Sequence, residues 1–191
     1  MNDQTATSPC DELRAEHQVI LRVIEILKRL VGRFREGGAF ERAAFGRCVE
    51  FFRLFADACH HAKEEDLLFP ALESRGIPRE GGPIGVMLEE HRQARALTKE
   101  MGDSLDALAQ GDAAADSRFA AAADRYADLL MNHIFKEDNV LFNMGDRVLS
   151  AGDRKTLCSK FCEVGCGTFG GKKREELSAI ADELDARWGD S

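Results

Sequence analysis

Apolar positions recur along the chain at steps of three and four. Leu13, His17, Ile20, Ile24, Leu27, Val31 and Phe34 form one stripe, and Met87, His91, Ala94, Thr98, Met101, Leu105 and Leu108 form another. This is the period of a helix that buries one face against its neighbours. Two further segments, about Phe40 to Ser74 and about Asp116 to Leu149, carry the same period. No segment shows strand alternation, and alanine, leucine, glutamate and arginine outweigh valine and isoleucine, which favours helix. Breaks fall at Gly37-Gly38, Gly76 to Pro83, Gly111-Asp112, Gly152 and Gly165 to Gly171. Connections this short place successive helices antiparallel. The pattern predicts an all-α fold: an antiparallel up-down four-helix bundle over residues 11–149, built from two pseudo-repeated helical hairpins. A polar tail over 1–10 precedes it. Short extra C-terminal helices over 150–191 follow, the last from roughly Lys173 to Trp188.

The repeat is visible in the residues themselves. HHAKEEDLLF, from His60 to Phe69, aligns without a gap to HIFKEDNVLF, from His133 to Phe142. His60 matches His133, Lys63 matches Lys136, Glu64 matches Glu137, and Leu68-Phe69 match Leu141-Phe142. The helix before each copy carries a Glu-His pair, Glu16-His17 and Glu90-His91, and the His-to-His separations differ by one residue. Two such hairpins pack about an approximate two-fold axis, and whatever lies on that axis is shared between them.

Four of the five histidines occupy these equivalent places. His17 and His91 stand where the stripe calls for a hydrophobe. On the second helix Val49, Phe52, Ala56, His60, Glu64, Leu67 and Ala71 are expected to share a face; on the fourth, Tyr126, Leu130, His133, Glu137, Val140 and Met144. A His and a Glu four apart lie about 40° apart around a helix and ~6 Å along it, so both reach one ion. One buried histidine is ordinarily a hydrogen-bonded core residue. Four at repeat-equivalent positions, two with a Glu four residues on, point instead to a metal site held by His17, His60, Glu64, His91, His133 and Glu137. Glu64 and Glu137 would be costly as unpaired buried carboxylates. Imidazoles and carboxylates without thiolate suit iron or manganese, and six donors exceed one tetrahedral zinc. Two iron ions bridged by Glu64 and Glu137, with an oxo or hydroxo bridge, use the donors fully and leave a position open on each metal. Manganese or a mixed pair is compatible with the same donors.

The arrangement resembles the hemerythrin family, whose bacterial branch is the HHE cation-binding domain. The family pattern is an early lone His, then H-x-x-x-E with a trailing LFP, a third-helix His and a second H-x-x-x-E. Here these are His17; His60 and Glu64 with Leu68-Phe69-Pro70; His91; and His133 with Glu137. The resemblance implies a four-helix bundle around a non-haem, oxo-bridged di-iron centre that carries, senses or reduces diatomic gases, or handles iron and peroxide. Oxygen-carrying members have a fifth histidine one turn after the third-helix His; this chain has Arg95 there. Glu16, Glu90, His61, Glu65, Tyr126 or water are the candidates for that gap. The departure favours sensing, scavenging, detoxification or peroxidase-like turnover over simple reversible O2 transport. The second copy ends LFN, Leu141-Phe142-Asn143, a difference expected to affect helix shape more than chemistry.

His61 is ~100° around an α-helix from His60 and is expected in the outer shell or at the surface. Glu65 and Asp138 each follow a ligand Glu and are outer-shell candidates, as are Glu16 and Glu90. Tyr126, the sole tyrosine, either gates the site or is a core residue with a satisfied hydroxyl.

Cys158, Cys162 and Cys166 repeat every four residues in LCSKFCEVGCG, so a helix would align them for a soft metal or for pairwise oxidation. No fourth zinc ligand is obvious beside them, and free cysteine is also a common core residue. Cys10, Cys48 and Cys59 read as packing.

Composition narrows the partners. The chain has 191 residues and a formal net charge of -8, which argues against nucleic acid or an anionic membrane surface. No stretch approaches the ~20 apolar residues of a membrane span, and Met1 to Cys10 lacks an apolar signal core. A cytoplasmic location with reduced thiols is expected. The expected small partner is O2, NO or peroxide, with a redox partner protein as a further candidate. Three functions compete: a di-iron protein that binds a gas or oxidant, a di-iron enzyme that decomposes peroxide or reduces NO, and an iron store or donor for iron-centre repair.

Overall fold

The computed structural model describes residues 8–189. The polar tail expected over 1–10 lies outside the described residues as far as residue 7, and the first helix begins within it. Ser8 caps α1 (Pro9–Arg35) by accepting from the Cys10 N–H, while Asp11 reaches back to the Ser8 N–H. This reciprocal cap satisfies donors that the first turn leaves free. The other long helices are α2 (residues 42–74), α3 (Pro83–Ala109) and α4 (residues 115–148). Connections of a few residues join them, with Gly37, Gly76 and Gly111 in the left-handed region at the turns. The bundle is all-helical, as the periodicity predicts. Its tightest pairing is α3 with α4, and α1 packs on α4.

Beyond it come α5 (Ala151–Gly165), a hairpin of β1 (Thr168–Phe169) and β2 (Lys172–Lys173), and α6 (Arg174–Trp188). The sequence pattern does not predict this hairpin. Its turn is Gly170-Gly171, both at positive φ, a two-residue connection that glycine permits. The C-terminal elements pack onto the bundle. Leu177, Ile180, Ala181 and Leu184 of α6 join the main core, and Leu157 and Phe161 of α5 join a second one.

The two cores locate the site. On every long helix the predicted ligand residues lie between side chains of one core and side chains of the other. On α1, His17 stands between Leu13 and Ile20; on α3, His91 stands between Met87 and Ala94. On α2, His60 and Glu64 stand between Ala56 and Leu68; on α4, His133 and Glu137 stand between Leu130 and Leu141. The bundle therefore holds one polar layer between two apolar ones. Filling such a position with a hydrophobe would gain about 1.5–3 kcal/mol, so the layer is sustained by something other than core packing.

Candidate metal centre

The backbone at this layer is wider than an α-helix. α2 contains π-helical turns over Phe52–His61 and Glu64–Leu68, and α4 contains one over Glu137–Leu141. The Phe69 N–H bonds Glu64 and the Phe142 N–H bonds Glu137, each five residues back. A wider turn cancels the drift that α-helical i,i+4 pairs accumulate. Hence His60, Glu64, Leu68 and Leu72 all stay buried on α2, and His133, Glu137, Leu141 and Gly145 on α4. The expected faces are corrected accordingly. Leu67 and Ala71 are only half-buried, and Val140 is 50% exposed. Pro70 is not the cause of the wide turn, because the second copy has the same turn with Asn143 in its place.

The same widening moves His61. The α-helical estimate sends it outward, but it is only 2% exposed and stacks on His91. More residues per turn narrow the angle between successive side chains, so His60 and His61 both face the layer.

Two groups of ligand atoms result, each with its members within 4.8 Å of one another: His17, His60, Glu64 and Glu137, and His61, Glu64, His91 and His133. Glu64 belongs to both. Its Oε1 lies 3.5 Å from His60 Nε2 and its Oε2 lies 3.4 Å from His91 Nε2. Glu137 Oε2 lies 3.3 Å from His17 Nε2 and 3.2 Å from His133 Nε2. The Nε2 atoms of His91 and His133 face each other at 3.1 Å.

Each imidazole is oriented from behind by a carboxylate on its Nδ1. His17 pairs with Asp138 at 2.7 Å, His60 with Glu16 at 2.9 Å, His91 with Glu65 at 2.7 Å and His133 with Glu90 at 3.0 Å. His61 pairs with Asp57 at 3.3 Å. An Nδ1–H donated to a carboxylate leaves the Nε2 lone pair facing the layer, the tautomer a metal ligand needs. Four of these carboxylates, Glu16, Glu65, Glu90 and Asp138, are legible from the sequence; Asp57 is not. Its signal was the i,i+4 spacing to His61, obscured once His61 was placed outside.

Behind this shell the repeat continues. Lys63 Nζ bonds Glu16 and Glu12, both at 2.7 Å, and Lys136 bonds Glu90. Arg174, brought in by α6, adds a contact to Glu16 at 3.1 Å. Arg95 does not enter the layer. It braces Asp57 and Glu65, each at 2.7 Å, from outside.

Without a cation the layer is electrostatically unbalanced. His17 Nε2, His60 Nε2 and both oxygens of Glu64 and Glu137 are buried and have no hydrogen-bond partner. Leaving such atoms unmet is expensive. Burial and the facing Glu137 push the Glu64 carboxyl well above its usual range. Against burial, His133 and His17 hold Glu137 well below it. Burial drives His60 down to about 4, whereas Glu137 and Glu90 overcome burial to hold His133 up at about 9. Cations held by the two groups would meet these orphaned atoms, so these residues fit a metal.

Tyr126 is buried in the main core with its ring against Phe52. Burial raises its phenol, with Thr98 beside it acting the other way. Cys59, beside His60, is buried, and burial raises its thiol to about 11. Among the described residues, the three cysteines of α5 do not form a third metal group.

Comparison with known proteins agrees with this geometry. The model of the hemerythrin HHE cation-binding domain matches residues 8–144. The chain belongs to the hemerythrin HHE family. An uncharacterized relative from Mycobacterium tuberculosis is 26% identical over 155 residues, covering 81% of this chain and 60% of that protein. A Mycobacterium bovis protein matches to the same extent. The iron-sulfur cluster repair protein DnrN of Neisseria gonorrhoeae is 38% identical over 87 residues, 44% of this chain and 54% of its own length. The chain thus spans little more than half the length of these relatives. As an HHE protein it is metal-binding and helical, and none of its described helices is long and apolar enough to cross a membrane.

Proposed function

We propose that this chain is a non-haem di-iron protein that binds a small oxidant or gas (O2, NO or peroxide) in sensing, scavenging or detoxification. The observation that supports it most is the pair of His/Glu groups joined through Glu64, with six buried polar atoms aimed into them. In this reading His17, His60, Glu64 and Glu137 hold one iron, and His61, Glu64, His91 and His133 the other. Residues 11–149 form the metal-binding unit. Iron bound there supplies a change of oxidation state and a coordination position that the protein does not fill.

The residues do the rest. The five Nδ1–carboxylate pairs fix the imidazole planes and raise their basicity as ligands. Lys63, Lys136 and Arg174 offset the charge of Glu16 and Glu90, so these two carboxylates need no protons. His61 supplies the histidine that the Arg95 position lacks. One side then has three imidazoles and one carboxylate, the other two imidazoles and two carboxylates. A cleft of about 620 Å³ between α2 and α3 reaches His61, with Tyr126, Thr98 and Arg95 in its walls. In this reading a small ligand would approach from this side.

A second reading, an iron store or donor for iron-centre repair, draws on the similarity to the Neisseria repair protein. Metal content on anaerobically reconstituted protein, with ultraviolet-visible spectra before and after air, tests the first reading. Two irons per chain with oxo-bridge charge-transfer bands are expected. Bands that reverse on deoxygenation favour binding. Irreversible oxidation with consumption of peroxide or NO favours an enzyme. Release of iron to an apo iron-sulfur protein favours repair. One metal per chain or none overturns the di-iron assignment.

A further inference from the structure

The cysteines of α5 divide by environment. Leu157 and Phe161 form the buried face of this helix, and Phe161 packs over the Lys63 ammonium. Cys158 is half-buried, whereas Cys162 and Cys166 are exposed. Exposure is unusual for a residue type that is among the most often buried. The two exposed thiols interact, Cys166 raising the Cys162 thiol above its usual value. They sit one turn apart where the helix ends, Cys166 being the capping residue with its N–H on the Cys162 carbonyl at 3.0 Å. By helix geometry their Cα atoms are about 6 Å apart, inside the roughly 4.4–6.8 Å that a disulfide spans. Gly165 and Gly167 flank Cys166, so the last turn can adjust to the bond.

We propose that Cys162 and Cys166 form a redox-active dithiol that exchanges with low-molecular-weight disulfides, independently of the metal layer. The thiolate of one cysteine attacks a sulfur of the incoming disulfide. A protein mixed disulfide forms, and one small thiolate leaves. The second cysteine loses its proton to solvent and attacks the protein sulfur of that mixed disulfide. The Cys162–Cys166 bond forms and the second small thiolate leaves. The protein is oxidised by two electrons and the small disulfide is reduced to two thiols. The three cysteines of α1 and α2 are poor competitors. Cys10, Cys48 and Cys59 are buried, and burial holds their thiols at about 12, 12 and 11.

The test is incubation of the full chain with oxidised and reduced glutathione, quenching with N-ethylmaleimide, then intact-mass and peptide analysis. The wild type is expected to lose two hydrogens, to yield a linked Cys162–Cys166 peptide without accumulating glutathione adduct, and to revert with dithiothreitol. C162S and C166S should each accumulate a mixed disulfide on the surviving thiol. C158S should behave as wild type. The proposal is overturned by glutathione adduct persisting on the wild type, by a pair that includes Cys158, by a disulfide-linked dimer, or by no reaction. Alkylation of Cys10, Cys48 and Cys59 only after denaturation verifies that each variant is folded.

Discussion

The imidazoles of His61 and His91 stack with centroids 3.8 Å apart and planes 16° from parallel. The contact joins α2 to α3 across the polar layer, and each ring is tethered by its own carboxylate, Asp57 for His61 and Glu65 for His91. Such a stack is compatible with two neutral rings. Burial holds His61 well below its usual range, with His91 adding to the effect. Both rings are then available as metal donors.

If His61 is a ligand and not a packing partner, His61→Ala and His60→Ala should each lower bound iron by about half or more, since each removes one donor from a four-residue group. Elemental analysis of reconstituted protein reads this, with circular dichroism as the check on folding. A His61→Ala protein that keeps its full iron content makes His61 a spacer, and a His60→Ala protein that does so removes the whole assignment.

The bundle was legible because each seam keeps one period over many turns, and the repeat made four histidines mutually informative. His61 was not legible, and the reason is local. An α-helical wheel is the right tool only while the helix is α, and nothing in HHAKEEDLLF announces a turn closed by five-residue hydrogen bonds. The same wheel placed Val140 inside, where it is exposed, and passed over Leu141, which is buried. The outer carboxylates Glu16, Glu65, Glu90 and Asp138 were within reach because each adjoins a predicted ligand. The Gly170-Gly171 hairpin was hidden by its length, since two-residue strands carry no alternation.

The Arg95 brace yields a graded prediction. Glu65→Ala removes the carboxylate that orients His91 and should weaken metal affinity ~10–100-fold, the usual cost of losing such a partner. Arg95→Ala leaves Glu65 on His91 and only loosens it, so its effect should be smaller than that of Glu65→Ala. Competition with a chelator of known affinity measures both. The reverse order would mean that Arg95 acts on the site by a route other than Glu65.

Acid should loosen the hairpin where Glu50 holds it. Lys172 Nζ at 2.5 Å and Arg47 at 2.6 Å both bond this carboxylate, and Lys172 leads in drawing its pKa below 4.5. A carboxylate with a depressed folded pKa stabilises the fold above its unfolded pKa. That contribution is lost as pH falls through the folded value. Glu50→Gln should therefore cost up to about 1 kcal/mol at neutral pH, the range for a half-exposed pair. The gap to wild type should close as the pH falls below the ordinary glutamate range and through the depressed folded value. Urea midpoints across that range decide it, and a gap that stays constant with pH would assign the effect to packing.

Lys63 and Lys136 are equivalent by sequence and unequal by environment. Lys63 is 0% exposed in its side chain, enclosed by Glu12, Glu16 and the Phe161 ring, while Lys136 on Glu90 is 39% exposed. The difference comes from α5 and α6, which cover the first hairpin and leave the second open. Removing one partner of a buried pair strands the other charge, here Glu16, itself only 1% exposed. Lys63→Met should thus destabilise the metal-free protein by about 3–5 kcal/mol, reduced to the extent that Arg174 takes up the charge of Glu16. Lys136→Met should cost about 1 kcal/mol or less, because water replaces the ammonium at Glu90. Denaturant unfolding of the two variants gives the comparison directly. Adding Arg174→Met to Lys63→Met should cost more than it does in the wild-type background, the signature of two cations serving one carboxylate. Equal losses for Lys63→Met and Lys136→Met would mean that the C-terminal helices do not seal the first hairpin from solvent.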